Sequence, residues 1–154
     1  MSFRPAVHGD GAHAAHYGVN QLSVLQLRAL LFQRFGSALH FKHECDYLIE
    51  TVAFGERVLD VEGVGIGAHG TGILAITERR IIHVKYRYFL RRFHSFICEY
   101  DRLNTVDIPY ARKTWSQIDV HYDYGRRKSL MLLHPRDRAE ELCRVITDAA
   151  HLPK

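Results

Sequence analysis

The sequence has little of what marks most specialised protein classes. Among its 154 residues there are three cysteines, Cys45, Cys98 and Cys143, far apart and with no CxxC pair. That spacing argues against a disulfide scaffold or a structural zinc site and fits a reducing compartment. Apolar runs extend only a few residues, as in Ala29 to Phe32, far short of the ~20 that cross a bilayer. The opening MSFRPAVHGDGAHAAHYG has no apolar h-region, so a secretory signal is not expected. There is no GxSxG elbow, no glycine-rich loop leading into Lys-Ser/Thr, and no cysteine in a recognisable histidine-paired context. Neither a catalytic residue nor a cofactor is therefore predicted. At 47% apolar and 25% charged residues, the composition is that of one globular cytoplasmic domain, long enough to bury a core without staples.

Charge is unevenly distributed. Residues 1–77 hold 5 Lys+Arg against 7 Asp+Glu, whereas residues 78–154 hold 16 against 10, so the net +4 comes from the second half. Such asymmetry points to an anionic partner or to a solvated basic surface.

Residues 1–18 combine Gly, Ala and His with hardly any large apolar side chain, which predicts a disordered tail. Residues 19–54 read as a helical hairpin. In its first helix Leu22, Leu25, Ala29 and Phe32 form one stripe, and Val24, Leu27, Leu31 and Phe35 an adjoining one. That arc is wider than one-sided packing needs. Either the helix lies between two surfaces of its own domain, or Leu22, Leu25, Leu27, Leu31 and Phe35 meet a partner or a second copy. Gly36 suits the end of this helix and Ser37 the cap of the next, where Phe41, Cys45, Leu48 and Val52 recur at helical spacing.

Residues 55–152 change character, to short runs rich in Val, Ile, Tyr and Phe separated by turn residues. Seven strands are expected: 58–64, 72–77, 80–86, 93–100, 105–110, 114–122 and 129–134. The sixth alternates most clearly, with Ser116, Ile118, Val120 and Tyr122 on a buried face and Gln117, Asp119 and His121 on a wet one. A closing helix is predicted from about Arg138, with Asp137 and Glu140 at capping-box spacing and Ala139, Leu142, Cys143, Ile146 and Ala149 inward. The fold class is α+β, mainly β. A bent antiparallel sheet of this size leaves an opening that such a helix can cover.

Three segments in order carry a family resemblance: Phe54-Gly55-Glu56-Arg57-Val58-Leu59, then Gly72 to Val84 around Thr77-Glu78-Arg79-Arg80, then Glu99-Tyr100-Asp101-Arg102-Leu103-Asn104-Thr105-Val106. With the closing Ala139-Glu140-Glu141-Leu142 helix, residues 45–150 resemble the bacterial pleckstrin-homology-like (PH-like) domains, within them the YokE-like group. The resemblance implies a bent seven-stranded barrel or sandwich with a C-terminal capping helix, serving as a binding or assembly module rather than an enzyme. In the Thr77–Arg80 turn, Thr77 and Glu78 can satisfy backbone donors while the Arg80 stem covers the sheet edge. Eukaryotic relatives that grip phosphoinositides place a lysine between strands one and two. Here Gly65 to Thr71 has no Lys or Arg, which argues against that kind of head-group pocket.

The strongest local signal is Arg79 to Phe93, with Arg79, Arg80, Lys85, Arg87, Arg91 and Arg92, no acid, and Tyr86, Tyr88, Phe89, Leu90 and Phe93 interleaved. The arginines can be the wet face of a strand whose aromatics are core. Alternatively Lys85, Arg87, Phe89, Arg91 and Arg92 touch an anionic membrane or an acidic protein, with single-stranded nucleic acid the least supported partner. Arg126, Arg127 and Lys128 form a second basic cluster in the turn before the last strand, and the anionic reading gains if both clusters share a face. His40, His43 and Glu44 have a spacing that can approach one metal ion, but without a fourth ligand or an HExxH pattern they read as a polar helix face, and no metal is predicted. Trp115 is expected in the core. The expected function is a non-enzymatic module binding protein partners or itself, with peripheral anionic-lipid binding as the alternative. The second reading adds the inner face of the membrane as a location.

Overall fold

The computed structural model describes residues 26–35, 41–52, 55–65 and 70–152. The predicted tail, Leu22, Leu25, Ser37 and His40 lie outside them. Helix α1 covers 26–35 and α2 covers Lys42–Thr51. Seven strands follow: β1 Val58–Gly65, β2 Thr71–Thr77, β3 Arg80–Arg87, β4 Arg92–Glu99, β5 Leu103–Ala111, β6 Ser116–Tyr122 and β7 Arg126–Leu132, before helix α3, Arg136–Ala150. All belong to one antiparallel sheet in the order β4-β3-β2-β1-β7-β6-β5.

The sheet bends where β1 meets β7, a joint of only Val64↔Leu132 and Gly65↔Met131. Beyond it the two wings close on each other. Phe96 of β4 meets Tyr122 of β6 ring to ring at 5.2 Å, although several strands separate them in the hydrogen-bonded order. Their inner faces share one core with Leu74, Ile76, Ile81, Ile118, Leu130 and Leu132, and Ala139, Leu142 and Ile146 of α3 cap it.

The outer face of β1–β3 is covered as well. Leu27 and Leu31 of α1 and Leu48 of α2 pack on Val58, Val61, Ile73, Ala75, Ile82 and Val84. Strand β2 is thus buried on both sides, which is why it reads as a nearly continuous apolar run rather than an alternation. Backbones also approach closely here. A Cβ on Gly72 would lie 2.1 Å from the Val84 carbonyl oxygen, so only glycine fits.

Several local expectations are corrected. Helix α3 begins at Arg136 with Pro135 at its N-cap and no side-chain cap, so Asp137 lies inside the first turn and forms no capping box. Asp119, expected on a wet face, is 4% exposed; Gln117 Nε2 and Ser129 Oγ each donate to its Oδ1 at 2.8 Å. Trp115 is only half-buried. The β6–β7 turn is tighter than expected, because Asp123, Tyr124 and Gly125 all take positive φ (47°, 58° and 124°). Arg126–Lys128 are thereby released from the turn to pair with Tyr122–Val120.

Around the Thr77–Arg80 turn the polar groups interlock. Thr77 Oγ1 donates to Glu56 Oε2 and accepts from Arg79 N and Arg80 N at 3.0 Å each. The Arg80 guanidinium does not cover the sheet edge; it forks onto Glu56 at 3.0 and 2.9 Å and also donates to Thr51 O. Glu78 meets Arg57 at 3.5 Å rather than capping the turn. Tyr100 closes the group, its hydroxyl donating to Thr77 O at 2.6 Å. Because Glu56 is 1% exposed, Arg80→Ala leaves a buried carboxylate without its counter-ion, a change that typically costs about 3–5 kcal/mol. Urea denaturation of Arg80→Ala is expected to give a loss of that order, with Arg80→Lys restoring part of it. A loss below about 1 kcal/mol would show that the ion pair is not what holds this turn.

Candidate basic-aromatic docking site

The β3–β4 hairpin is built by a register running from Arg80↔Glu99 to Arg87↔Arg92. Tyr88–Arg91 form its turn, closed by Leu90 N–H to Arg87 O at 3.1 Å and Arg91 N–H to Tyr88 O at 3.3 Å, with Arg91 at φ 50°. Phe89 at the tip is fully exposed at 103%, and Tyr88, Leu90 and Phe93 stand 51%, 48% and 38% exposed. These four are half of the large apolar side chains exposed among the described residues, so the apolar exposure is concentrated at one tip. An open hollow of about 260 Å³ runs along Lys85 to Leu90.

The charges at this tip are all of one sign. Arg87 and Arg92 sit directly opposite each other, a cross-strand arrangement of like charges that is destabilising on its own. Among the described residues no carboxylate forms an ion pair with Lys85, Arg87, Arg91 or Arg92. Several arginines elsewhere are paired with carboxylates. Arg138 binds Asp60, Glu62 and Glu141 at 2.7–3.0 Å; burial works against its charge, but these hydrogen bonds outweigh it and raise its pKa. The hairpin has no such neutralisation.

Of the second cluster, Arg126 and Arg127 open β7 as exposed residues, 3.9 Å from Asp123 and 4.0 Å from Asp119. Tyr124 beside them is fully exposed at the turn. His83, a buried imidazole on β3, was passed over in the sequence. Its Nε2 lies 2.6 Å from Val64 O; a carbonyl only accepts, so Nε2 carries the proton and Nδ1 the lone pair. Burial holds its pKa down at about 4 against the Val64 hydrogen bond, with His94, Lys128 and Lys85 pushing the same way. Lys128 of the second cluster stands 5.6 Å over the Phe96 ring.

The predicted partner contacts on α1 lie elsewhere. Leu27 and Leu31 are 1% and 5% exposed within the chain's own core, and Phe35 packs against the same cluster, so the spare face assigned to them is already covered. Phe32 is the large apolar residue exposed on the described part of α1, at 71%. His43 and Glu44 are not a uniform polar face: Glu44 is buried and accepts from Tyr86 N–H, and His43 stacks on Tyr86 at 4.0 Å. One other group could approach a metal ion, Asp107, Asp119 and His121, whose ligand atoms lie within 4.8 Å of one another. Its members already have partners, with His121 3.3 Å from Asp107 and Asp119 bonded as above. Burial pushes the Cys143 thiol up to about 12, far from a reactive thiolate.

No protein-family model matches the sequence, and no curated protein does. Solved structures match in fold. The linker-DH/PH domains of p115-RhoGEF superpose with TM-score 0.55 at 8% identity, over 95% of this chain and 44% of that one. A second structure of its DH/PH domains, carrying an R399E change, gives 0.53 at 9% identity, over 95% and 46%. The hSac2 domain of the human phosphoinositide phosphatase Sac2 gives 0.54 at 10% identity, over 69% and 77%. The fold is PH-like. At these identities the likeness carries fold alone, and the chain spans less than half of the p115-RhoGEF fragments. Among the described residues of this PH-like chain, no helix is long and apolar enough to cross a membrane.

The depressed His83 pKa has a stability consequence with a definite sign. Between about pH 4 and its ordinary value of 6.5, the unfolded chain binds the proton and the folded one does not, so stability rises with pH across that window. The contribution is full above pH 6.5 and lost as pH falls towards 4, about 3 kcal/mol at most. Unfolding midpoints of the wild type are expected to drop between pH 6.5 and 5, above the main carboxylate range, while His83→Gln stays flatter. Parallel slopes for the two proteins would rule the histidine out.

Proposed function

We propose that the chain is a non-enzymatic, PH-like interaction module that docks on an anionic lipid surface through the β3–β4 hairpin. The observation that carries this reading is the pairing of a fully exposed Phe89, flanked by Leu90 and Tyr88, with Arg87, Arg91 and Arg92, whose charges no carboxylate of the described residues answers. Apolar side chains enter the interface between head groups and acyl chains, while each arginine near an anionic surface contributes ~1 kcal/mol. A basic strand face alone would not need an apolar tip. Lys85, Arg126 and Arg127 extend the basic surface, and the site lies at the inner face of the membrane in a cytoplasmic protein.

Co-sedimentation with anionic and neutral vesicles at low and moderate salt tests it. Salt-sensitive binding to anionic vesicles only is expected, weakened by Phe89→Ser and abolished by Arg87→Glu, Arg91→Glu and Arg92→Glu together. Equal binding to neutral vesicles, or none to either, would refute it.

Protein binding or self-assembly is the second reading, and Phe32, 71% exposed on α1, favours it in place of the covered leucines. Light-scattering mass above the monomer, returning to the monomer in Phe32→Ser, is its expected result; a monomeric wild type over the accessible concentrations counts against it.

A further inference from the structure

The hairpin is not a free arm, because α2 grips it from one side. Its pairing with β2 ends at Ile73↔Val84, and just past that point the Tyr86 amide finds no strand neighbour on that side. Glu44, in the first turn of α2, takes the vacant place: it is 0% exposed and its Oε2 accepts from Tyr86 N–H at 2.7 Å. A part-buried amide calls for an acceptor, and here a side chain supplies it. Among the described residues, Glu44 Oε1, also buried, has no hydrogen-bond partner. Burying a carboxylate for a single backbone bond is costly, which marks that bond as what the residue does.

Aromatic contacts reinforce the grip. His43 stacks on Tyr86 at 4.0 Å and meets Tyr88 edge-on at 5.6 Å. One turn further along α2, Tyr47 lies 4.8 Å from Phe93, and Tyr86 and Phe93, paired across the hairpin, stand 5.1 Å apart. Leu48 ties the same helix into the core. A two-stranded ribbon by itself is marginal in water, whereas this one is braced on a helix that is anchored to the sheet.

We propose that α2 is the positioning element of the docking hairpin: Glu44, His43 and Tyr47, acting through Tyr86, Tyr88 and Phe93, aim Phe89, Leu90 and the arginines at the surface as one unit. This rests on the lipid-docking reading above. Unlike the arginines, the α2 residues contribute direction rather than contact.

The test uses the full chain and vesicles of equimolar phosphatidylglycerol and phosphatidylcholine, with Phe89→Ser as the reference for a lost tip. Glu44→Ala is expected to weaken binding about tenfold. Glu44→Gln, which keeps an acceptor oxygen but not the charge, is expected to stay within about twofold of wild type. Amide exchange at Tyr86 should be slow in the wild type and Glu44→Gln and fast in Glu44→Ala, a readout that a general loss of stability would not confine to one amide. Should Glu44→Ala not fold, His43→Ala and Tyr47→Ala decide, each expected to weaken binding while the melting temperature stays near that of the wild type. If folded α2 variants bind like the wild type while Phe89→Ser does not, the positioning role is wrong and docking stands. If Phe89→Ser binds like the wild type, the docking reading falls and takes the positioning role with it.

Discussion

Glu56 brings a negative charge into the interior immediately before the first strand, and the surrounding architecture is arranged to answer it. A carboxylate that is 1% exposed is tolerable only when both oxygens are engaged by a cation and hydrogen-bond donors. Arg80 and Thr77 supply these from the β2–β3 turn, and Arg80 reaches on to the last carbonyl of α2. Tyr100 adds the start of the β4–β5 connection by donating to Thr77 O. One charge therefore fixes four chain segments relative to one another: the end of α2, the approach to β1, the β2–β3 turn and the β4–β5 turn. The hairpin that leaves this knot starts from a defined position, and so does the helix that braces it.

A second charged knot does the same for the other side of the sheet. Asp60 and Glu62 follow Glu56 along the chain, are 7% and 6% exposed, and are held by Arg138 of α3, with Arg34 of α1 reaching Asp60 at 3.3 Å. Two helices from opposite ends of the sequence thus share carboxylates of one strand. The apolar cores decide that the helices cover the two faces, because burial is large and undirected. The ion pairs decide at which register they do so, because a guanidinium fork accepts few geometries.

The seven strands and the closing helix were legible because their signals are local. Period-two alternation, turn residues and a helical stripe are properties of neighbouring residues, and the structure follows them within a few positions. The Thr77–Arg80 segment was also legible as a turn, though not as half of an ion pair, since Glu56 lies more than twenty residues away. What strand alternation and helical spacing could not reveal was burial at polar positions. Asp119 and Glu44 look like solvent residues by position, yet both are buried beside donors: Gln117 of its own strand and Ser129 of β7 for the first, the Tyr86 amide of β3 for the second. The basic-aromatic run was visible as composition. Its division into a braced base, Tyr86 and Phe93, and an exposed tip, Phe89 and Leu90, depends on where the β3–β4 turn falls and on a helix whose contacts lie some forty residues away. Sequence alone left open which part of the wide α1 stripe the chain covers itself: Phe32 is exposed. Leu27 and Leu31 are covered in cis.

The strength that the proposed docking would have follows from the same inventory. Three arginines at ~1 kcal/mol each near an anionic surface contribute roughly 3 kcal/mol, and partial burial of Phe89 and Leu90 adds on the order of 2–4 kcal/mol beside their full-burial values. A total of roughly 5–7 kcal/mol lies between millimolar and micromolar affinity before any loss from ordering. A hairpin of that strength would hold a surface reversibly, since a lone contact of this kind releases easily. Two features bear on that weakness. The brace from α2 removes part of the ordering cost that a mobile loop would incur on contact. The basic strand start at Arg126 and Arg127, with exposed Tyr124 at its turn, supplies a second patch on the same chain, and a second patch raises residence steeply when geometry allows both to engage at once.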